Sequence, residues 1–493
     1  MERDASLNSP AAPPSAGAPQ PPPVPLRWLH EPGPWIIALA GVTLWLAGYP
    51  MPHADDLFFT GVSIEVARSG NLVNPWLSTW MASLGTDQFY VFPPTLPYAQ
   101  ALWVRCFGVS TGSFTSFHLL IQAALELCIY LLARKGGLGR LSALGAAAVA
   151  GFFPVVYGIR PDALAMLLVV LGQLACHGPR PWHWVLGALL SSGAVLSHPI
   201  AMAFVIPCHA GQLIGAWPHK DRFRQLLVAT ALGVAVAFAC FLVAIHGHLA
   251  EFLRVMSAHR ALVMSSEWYL GPVDFYSELV TGKEFWLRGP IALLVLAGFG
   301  RLFFAAVPDE RTKILRRFAW MWLAAVGLGA FCYATRVVHY AAYSGLVLAI
   351  LIWARTRWSG AITAAAVAAV MLHNAGAILT PIFGNLARPD AAVIREAIRQ
   401  NPGKTPCMDE VVARYVFDFR LPEGASDWGL REPEYTGNPG TLATKPPHTL
   451  WLVSEWRLEH NVPDSGVTAE RLRVGPFVLG SQARNPYRVK IVE

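Results

Sequence analysis

The chain has 493 residues, 54% of them hydrophobic and only 14% charged, with 18 Trp and a mean hydropathy of +0.42. So apolar a composition excludes a soluble multidomain protein and fits an all-α polytopic membrane protein. The net charge of +7 does not mark a nucleic-acid binder, because most basic residues lie in short loops between apolar runs, where they set topology.

Residues 1–34 are rich in Pro, Ala and Ser, as in Pro21-Pro22-Pro23. They cannot pack a core and are expected to form a disordered cytoplasmic tail. They lack the basic start and early apolar core of a cleavable signal peptide, so the first apolar run is expected to be an uncleaved anchor. Spans are expected at roughly 35–51, 113–133, 139–157, 162–177, 183–197, 199–216, 225–246, 287–306, 318–334, 337–354 and 360–382, about eleven helices. The seven cysteines show no C-x-x-C pair or ligand-spaced His, so neither a disulfide framework nor a zinc site is implied.

The basic loops hold Arg134, Lys135 and Arg140; Arg180; Lys220, Arg222 and Arg224; Arg301 to Arg317; and Arg355 and Arg357. Placing all of them in the cytoplasm gives a consistent alternation, with the N-terminus inside and the C-terminus outside. On the outer face this leaves Asp55-Asp56, Gly158 to Asp162, Ser197-His198-Pro199, residues 247–286, and Arg336 to Tyr340. Chemistry is therefore expected outside the cytoplasm of a plasma (inner) membrane protein. No nucleotide-binding phosphate loop or dinucleotide fingerprint occurs in the chain, so an activated substrate would have to arrive on a lipid. Tyr90–Gly108 is apolar but short and proline-led. Counting it as a span breaks the alternation, so an interfacial helix on the outer surface is expected, forming with a helix over Leu57 to Arg68 an outer loop packed against the bundle; an ordinary tilted span is the plainer reading.

Asp55 and Asp56 follow the first apolar run with no neutralising residue beside them. An isolated charge in the hydrocarbon layer costs about 2.5–3.5 kcal/mol, so acids at this depth persist mainly where they line an aqueous cavity or a site. A simple stop signal, with both acids in water, is the plainer reading. Arg160 and Asp162 flank Pro161 at the start of a span. Asp162 there suits a helix N-terminus, while the Arg160 guanidinium suits phosphate oxygens or a carboxylate such as Asp55 or Asp56. The spacing of Arg336, His339 and Tyr340 places three donors on one side of a helical turn. Tyr90, His259, Arg260, Lys283 and Arg288 are weaker outer-face candidates, and His198 before Pro199 reads first as a helix-end histidine.

From about Asn385 the composition turns hydrophilic. An amphipathic helix at Ala391 to Arg399 and strands at His448 to Val453, Leu472 to Leu479 and Tyr487 to Val492 are expected. Residues 385–493 then form a small extracytoplasmic α/β domain, either capturing an acceptor or capping the membrane cavity.

The runs D-D-L-F-F-T-G-V-S-I-E-V-A-R-S-G-N (Asp55 to Asn71), F-P-P-T-L-P-Y-A-Q-A-L-W-V-R-C-F-G-V (Phe92 to Val109) and Y-L-L-A-R-K (Tyr130 to Lys135) resemble the N-terminal half of GT-C glycosyltransferases. Within that superfamily they resemble the protein O-mannosyltransferase and lipid A aminoarabinose transferase group. Beyond about the first 180 residues, only H-Y-A-A-Y-S-G-L-V-L-A (His339 to Ala349) resembles the family. The resemblance implies a GT-C-like transmembrane domain over residues 35–384 with an outer-face catalytic loop over 52–112. It implies Asp55 as the catalytic base and Asp56 as its acidic neighbour. It further implies a polyprenyl-phosphate-linked sugar donor, transfer on the outer side and inversion at the anomeric carbon. One departure is plain: the aminoarabinose branch carries a lysine just before the double proline, where this chain has Val91 and Phe92.

The chemistry asks for a base on the acceptor hydroxyl and cations on the departing lipid phosphate. Asp55 is the expected base. Arg160, Arg336 and His339 are the expected phosphate ligands, with Asp162, Tyr90, Arg260, Lys283 and Tyr340 as further substrate contacts. A divalent cation bridging Asp55, Asp56 and the phosphate is compatible with this scheme but not required by it, and no other cofactor is implied. The acceptor would be a glycolipid, a polysaccharide or a protein. The competing reading is a lipid or polysaccharide-precursor transporter without glycosyl transfer, which would carry internal repeats and mid-membrane polar residues rather than ionisable groups at helix ends.

Overall fold

The computed structural model describes residues 31–50, 52–53, 55–135, 137–156, 158–176, 178, 180–263, 273, 285–304, 310–354, 356–374, 389–420, 448–468, 473–474, 477–478 and 488–492. Most of the proline-rich N-terminal segment lies outside them, as does Lys283.

The end of the last predicted span, residues 375–382, lies outside the described residues, and helices cover most of the described residues of the predicted spans. They are α1 (Pro32–Leu46), then α2 (Asp55–Ser69), α3 (Ser78–Ser83) and α4 (Thr95–Phe107) between spans, then α5 (Thr111–Lys135), α6 (Arg140–Val156), α7 (Asp162–Cys176), α8 (Pro181–Val195), α9 (Met202–Ala216), α10 (Lys220–Ala244), α11 (Leu249–Val263), α12 (Phe285–Phe303), α13 (Glu310–Trp353) and α14 (Ser359–His373). Among the described residues three helical stretches, Thr111–Arg134, Pro199–Ala216 and Lys220–Ala244, are long and apolar enough to cross a membrane. The chain is a helical membrane protein.

Small residues allow close helix contacts. A Cβ on Gly172 of α7 would come 2.5 Å from the Ser191 hydroxyl of α8. One on Gly233 of α10 would come 2.6 Å from the carbonyl of Val185 on α8. Glycine at these positions lets the backbones approach, a common device where no hydrophobic gain drives helices together in lipid.

The α13 stretch covers both expected spans, 318–334 and 337–354, without a break in its helical backbone. It is helical from Glu310 to Trp353, yet the Trp322 indole donates to the Ser344 hydroxyl at 2.9 Å, 22 residues further on. A straight helix would separate those positions by about 33 Å, so the chain doubles back between them. Ala319 and Leu348 accordingly share one apolar cluster with Phe299 of α12.

Helix α4, 13 residues long, spans about 20 Å, short of the roughly 30 Å hydrocarbon layer. It lies against α2: Ser63 donates to the Gln100 side chain at 2.6 Å, and Arg105 donates to the carbonyls of Ala67 (2.9 Å) and Val66 (3.2 Å). Around them Phe58, Phe59, Phe89 and Phe92 pack at centroid distances of 4.8–5.7 Å. This aromatic block fixes α2, and with it the start of the helix that carries the two acids.

The C-terminal residues form α15 (Ala391–Gln400), β1 (Thr405–Met408), α16 (Glu410–Tyr415), β2 (Thr449–Ser454), α17 (Glu455–Asn461), β3 (Arg473–Val474), β4 (Phe477–Val478) and β5 (Val489–Val492). Strand β2 is central, parallel to β1 with Cys407 opposite Trp451, and antiparallel to β5 with Leu452 opposite Ile491. It is buried from Leu450 to Ser454, as its unbroken apolar run requires. Strand β1 and the helices α16 and α17 are absent from the sequence reading, because segments this short have too few residues to display a period.

Candidate active site

Two turns bring the charged residues together. In the first, Asp55 and Asp56 open α2, where the positive end of the helix dipole favours them. The Asp56 carboxylate reaches back to accept the His53 N–H at 3.2 Å, and the Asp55 N–H donates to His53 Nδ1 at 3.2 Å, so the helix start is closed from both sides.

The second turn is Gly158 to Asp162. Gly158 has φ +73°, and a Cβ there would lie 2.6 Å from His53 Cβ and 2.7 Å from Asp56 Oδ1. Only glycine allows this loop to approach the first turn so closely. Asp56 Oδ1 then accepts the Ile159 N–H at 2.9 Å, which orients the next residue, Arg160.

Arg160 divides its guanidinium between two acids. Nη1 pairs with Asp55 Oδ2, and Nε donates to Asp162 Oδ2 at 2.8 Å. The side chains are 13% (Arg160), 17% (Asp55) and 4% (Asp162) exposed. One cation thus lies between two carboxylates at the edge of the solvent. His198 extends the row: its Nε2 stands 4.0 Å from Asp162 Oδ1, and its Nδ1 accepts the Ile200 N–H at 3.2 Å. With Nδ1 accepting, the ring proton sits on Nε2, facing Asp162. The histidine is both the helix-end residue the sequence suggests and a neighbour of the cluster.

Tyr340 stands next in line, its ring 6.4 Å from that of His198. It also lines a cavity of about 180 Å³ among the helices, together with Leu125, Ile129, Met166, Phe204 and Val347. An almost wholly apolar cavity within the bundle therefore begins one side chain away from the charged row.

Asp56 is fully buried, and its partners include a residue the sequence reading did not single out. Arg414 of α16, its side chain 1% exposed, places Nη1 3.4 Å from Asp56 Oδ2. Burial pushes the Asp56 pKa up, and Arg414 and the Ile159 N–H oppose the rise. The only hint in the sequence is a single cation in the apolar run Val411 to Phe417.

The structure gathers Asp55, Asp56, Arg160, Asp162 and Tyr340, and assigns Tyr90 elsewhere. Tyr90 is fully buried, and its hydroxyl donates to the Ile245 carbonyl at 3.1 Å. It ties the loop before α4 to the end of α10 and is not offered to a substrate. Burial pushes its pKa up to about 12. Arg260 is an exposed residue of α11. His259 beside it points into the aromatic block, 5.6 Å from both Trp80 and Phe92. Arg336 and His339 lie on the α13 backbone, with their side chains, like that of Arg288, outside the described residues, and Lys283 is outside them altogether.

The two acids do not form a metal cradle. Asp55 is paired with Arg160, while Asp56 is turned away and shared among Arg414 and two backbone N–H groups. Carboxylates already matched by guanidinium groups offer little to a divalent cation. Among the described residues no group of three or more His, Cys, Asp or Glu could hold a metal ion.

No protein-family model matches the chain, and no curated protein does. Among solved structures the chain is similar to the crystal structure of ArnT from Cupriavidus metallidurans bound to undecaprenyl phosphate. The two are 12% identical, with 95% of this chain and 98% of that chain covered and a TM-score of 0.49.

Proposed function

We propose that this chain is an integral-membrane glycosyltransferase, moving a sugar from a polyprenyl-phosphate donor to an acceptor hydroxyl on the extracytoplasmic face. The observation that supports this reading best is the row Asp55, Arg160, Asp162, His198 and Tyr340, which joins a partly exposed carboxylate to an apolar cavity between helices. A long lipid carrying a phosphate needs both ends of such a row: apolar walls for the chain and a cation for the head.

Asp55 is the base. As the acceptor oxygen bonds to the anomeric carbon, its proton passes to the Asp55 carboxylate. The bond from that carbon to the phosphate oxygen breaks, and its electron pair leaves with the lipid phosphate, with inversion at carbon. Arg160 meets the developing negative charge. A donor phosphate competes with Asp55 for the guanidinium, so donor binding releases the carboxylate that the next step requires. Asp162 keeps Arg160 in place through Nε while Nη1 exchanges partners. Arg336 and His339 remain further phosphate ligands in this proposal, and the head-proximal isoprene of the polyprenyl tail enters the cavity beside Tyr340.

The test is Asp55→Asn in purified protein reconstituted with polyprenyl-phosphate sugars and envelope acceptor lipids. Transfer should be abolished while the folded protein still binds the donor, and turnover retained at the wild-type rate would refute the assignment. Mass spectrometry of envelope glycolipids and glycoproteins with and without the chain should show one missing glycosyl increment.

A further inference from the structure

We propose that Arg414 is a positioning residue through which the C-terminal segment holds the Asp55–Arg160 pair in register, an inference that rests on the transferase reading only for its catalytic consequence. Asp56 is the hub. Its oxygens take the His53 N–H, the Ile159 N–H and the Arg414 guanidinium, so three segments distant in sequence meet on one fully buried carboxylate. The first of these segments leads into Asp55 and the second into Arg160. Arg414 also donates to the Gly48 carbonyl at 3.3 Å, which closes the turn after α1 over the same carboxylate.

Asp56 reaches neither solvent nor Asp55's partner, which separates the roles of the two neighbouring acids. Asp55 can meet a substrate, and Asp56 holds the frame. Without Arg414 the buried carboxylate loses its guanidinium partner, and a buried charge stripped of its partner is strongly unfavourable. It would take up a proton, weaken as an acceptor and loosen its grip on Ile159, and Arg160 would lose its aim.

Arg414 is itself firmly placed. Asp409 caps α16 by accepting the Val411 and Val412 N–H groups, both at 3.1 Å, and the Ser454 N–H at 2.7 Å. Glu410 pairs with buried Arg457 at 3.3 Å. The turn after α16 is in the left-handed region at Asp418 (φ 55°) and Phe419 (φ 62°), a conformation that costs non-glycine residues and persists only when surroundings enforce it. Those surroundings are α5: Asp418 accepts the Thr111 N–H at 2.6 Å, Thr111 donates to the Arg414 carbonyl at 2.7 Å, and Phe419 packs on Phe114 at 5.4 Å. Docking of the segment therefore has anchors independent of the Arg414 side chain, and removing that side chain should leave the segment in place.

The experiment compares full-length wild type, Arg414→Ala and Arg414→Lys in nanodiscs by backbone hydrogen exchange and by steady-state transfer kinetics. In Arg414→Ala the Ile159 amide should exchange about tenfold faster or more, with the Phe114 region unchanged. Its kcat should fall by about a hundredfold, as for a misplaced catalytic group, with KM within about twofold. Arg414→Lys, which keeps the charge but not the fork, should recover part of both. Wild-type exchange at Ile159 together with wild-type kcat in Arg414→Ala would overturn the proposal. If Arg414→Ala fails to fold, Arg414→Lys decides by the same two readouts, wild-type values again overturning it. If the wild type itself transfers no sugar, the transferase reading fails, while the Ile159 amide still decides whether Arg414 positions the loop.

Discussion

Replacing Arg160 by Ala removes one cation and leaves two carboxylates facing each other, one of them, Asp162, only 4% exposed. Breaking a buried ion pair by deleting one partner costs about 3–5 kcal/mol. Asp55 and Arg160 keep 17% and 13% of their side-chain surface, so partial solvation places the loss near the lower end, about 3 kcal/mol. The penalty resides mainly in Asp162, which has less water to fall back on. Adding Asp162→Asn to Arg160→Ala should therefore restore most of the lost stability, because the stranded charge goes with it. It should not restore transfer, because the leaving phosphate still lacks its cation; a loss of about a hundredfold to a thousandfold in kcat is expected. Thermal unfolding in detergent and transfer kinetics on the two variants separate these effects. Wild-type stability in Arg160→Ala, or no recovery on adding Asp162→Asn, would show that the three side chains do not form the coupled unit described above.

Gly158→Ala should destabilise by about 2 kcal/mol or more, combining the left-handed penalty with a Cβ 2.6–2.7 Å from His53 and Asp56; chemical denaturation of the two proteins gives the figure. Met166→Trp, which fills the cavity beside Tyr340, should weaken binding of a polyprenyl phosphate by about tenfold or more while leaving the weak binding of inorganic phosphate unaffected; titration calorimetry with both ligands tests it. Asp409 has its pKa pushed from 3.8 up to about 6 by burial and by the charge of Glu410, against the pull of its N–H donors. Between those values the native state holds a proton that the unfolded chain has released, so this group's contribution falls as pH rises from about 4 to about 6. The stability advantage of wild type over Asp409→Asn should shrink across that window in thermal melts, and an advantage that grows would reverse the assignment.

Much of the site is written locally. Acids directly after an apolar run, glycine before Ile159-Arg160, and proline ahead of Asp162 each follow from the conformational needs of a few neighbouring residues. For Arg160 the sequence left phosphate oxygens, Asp55 and Asp56 open as partners, and the structure pairs it with Asp55 and Asp162. Tyr90 shows where this stops. An aromatic heading an apolar segment looks like an interface residue, and only its 3.1 Å bond to Ile245, 155 positions away, shows it to be a fastener.

Hydrophobic periodicity, helix ends and the positions of the charged turns were determined by the sequence itself, because they depend on interactions within one or two turns of chain. The tertiary structure alone decided which side chains the reversal within α13 brings together, Trp322 with Ser344 among them. It alone decided that Arg414 crosses 358 positions to reach Asp56 and that Asp56 is fully buried while the Asp55 side chain keeps 17% of its surface. Each of these depends on which surfaces meet once the helices pack, and on how much water the meeting leaves behind.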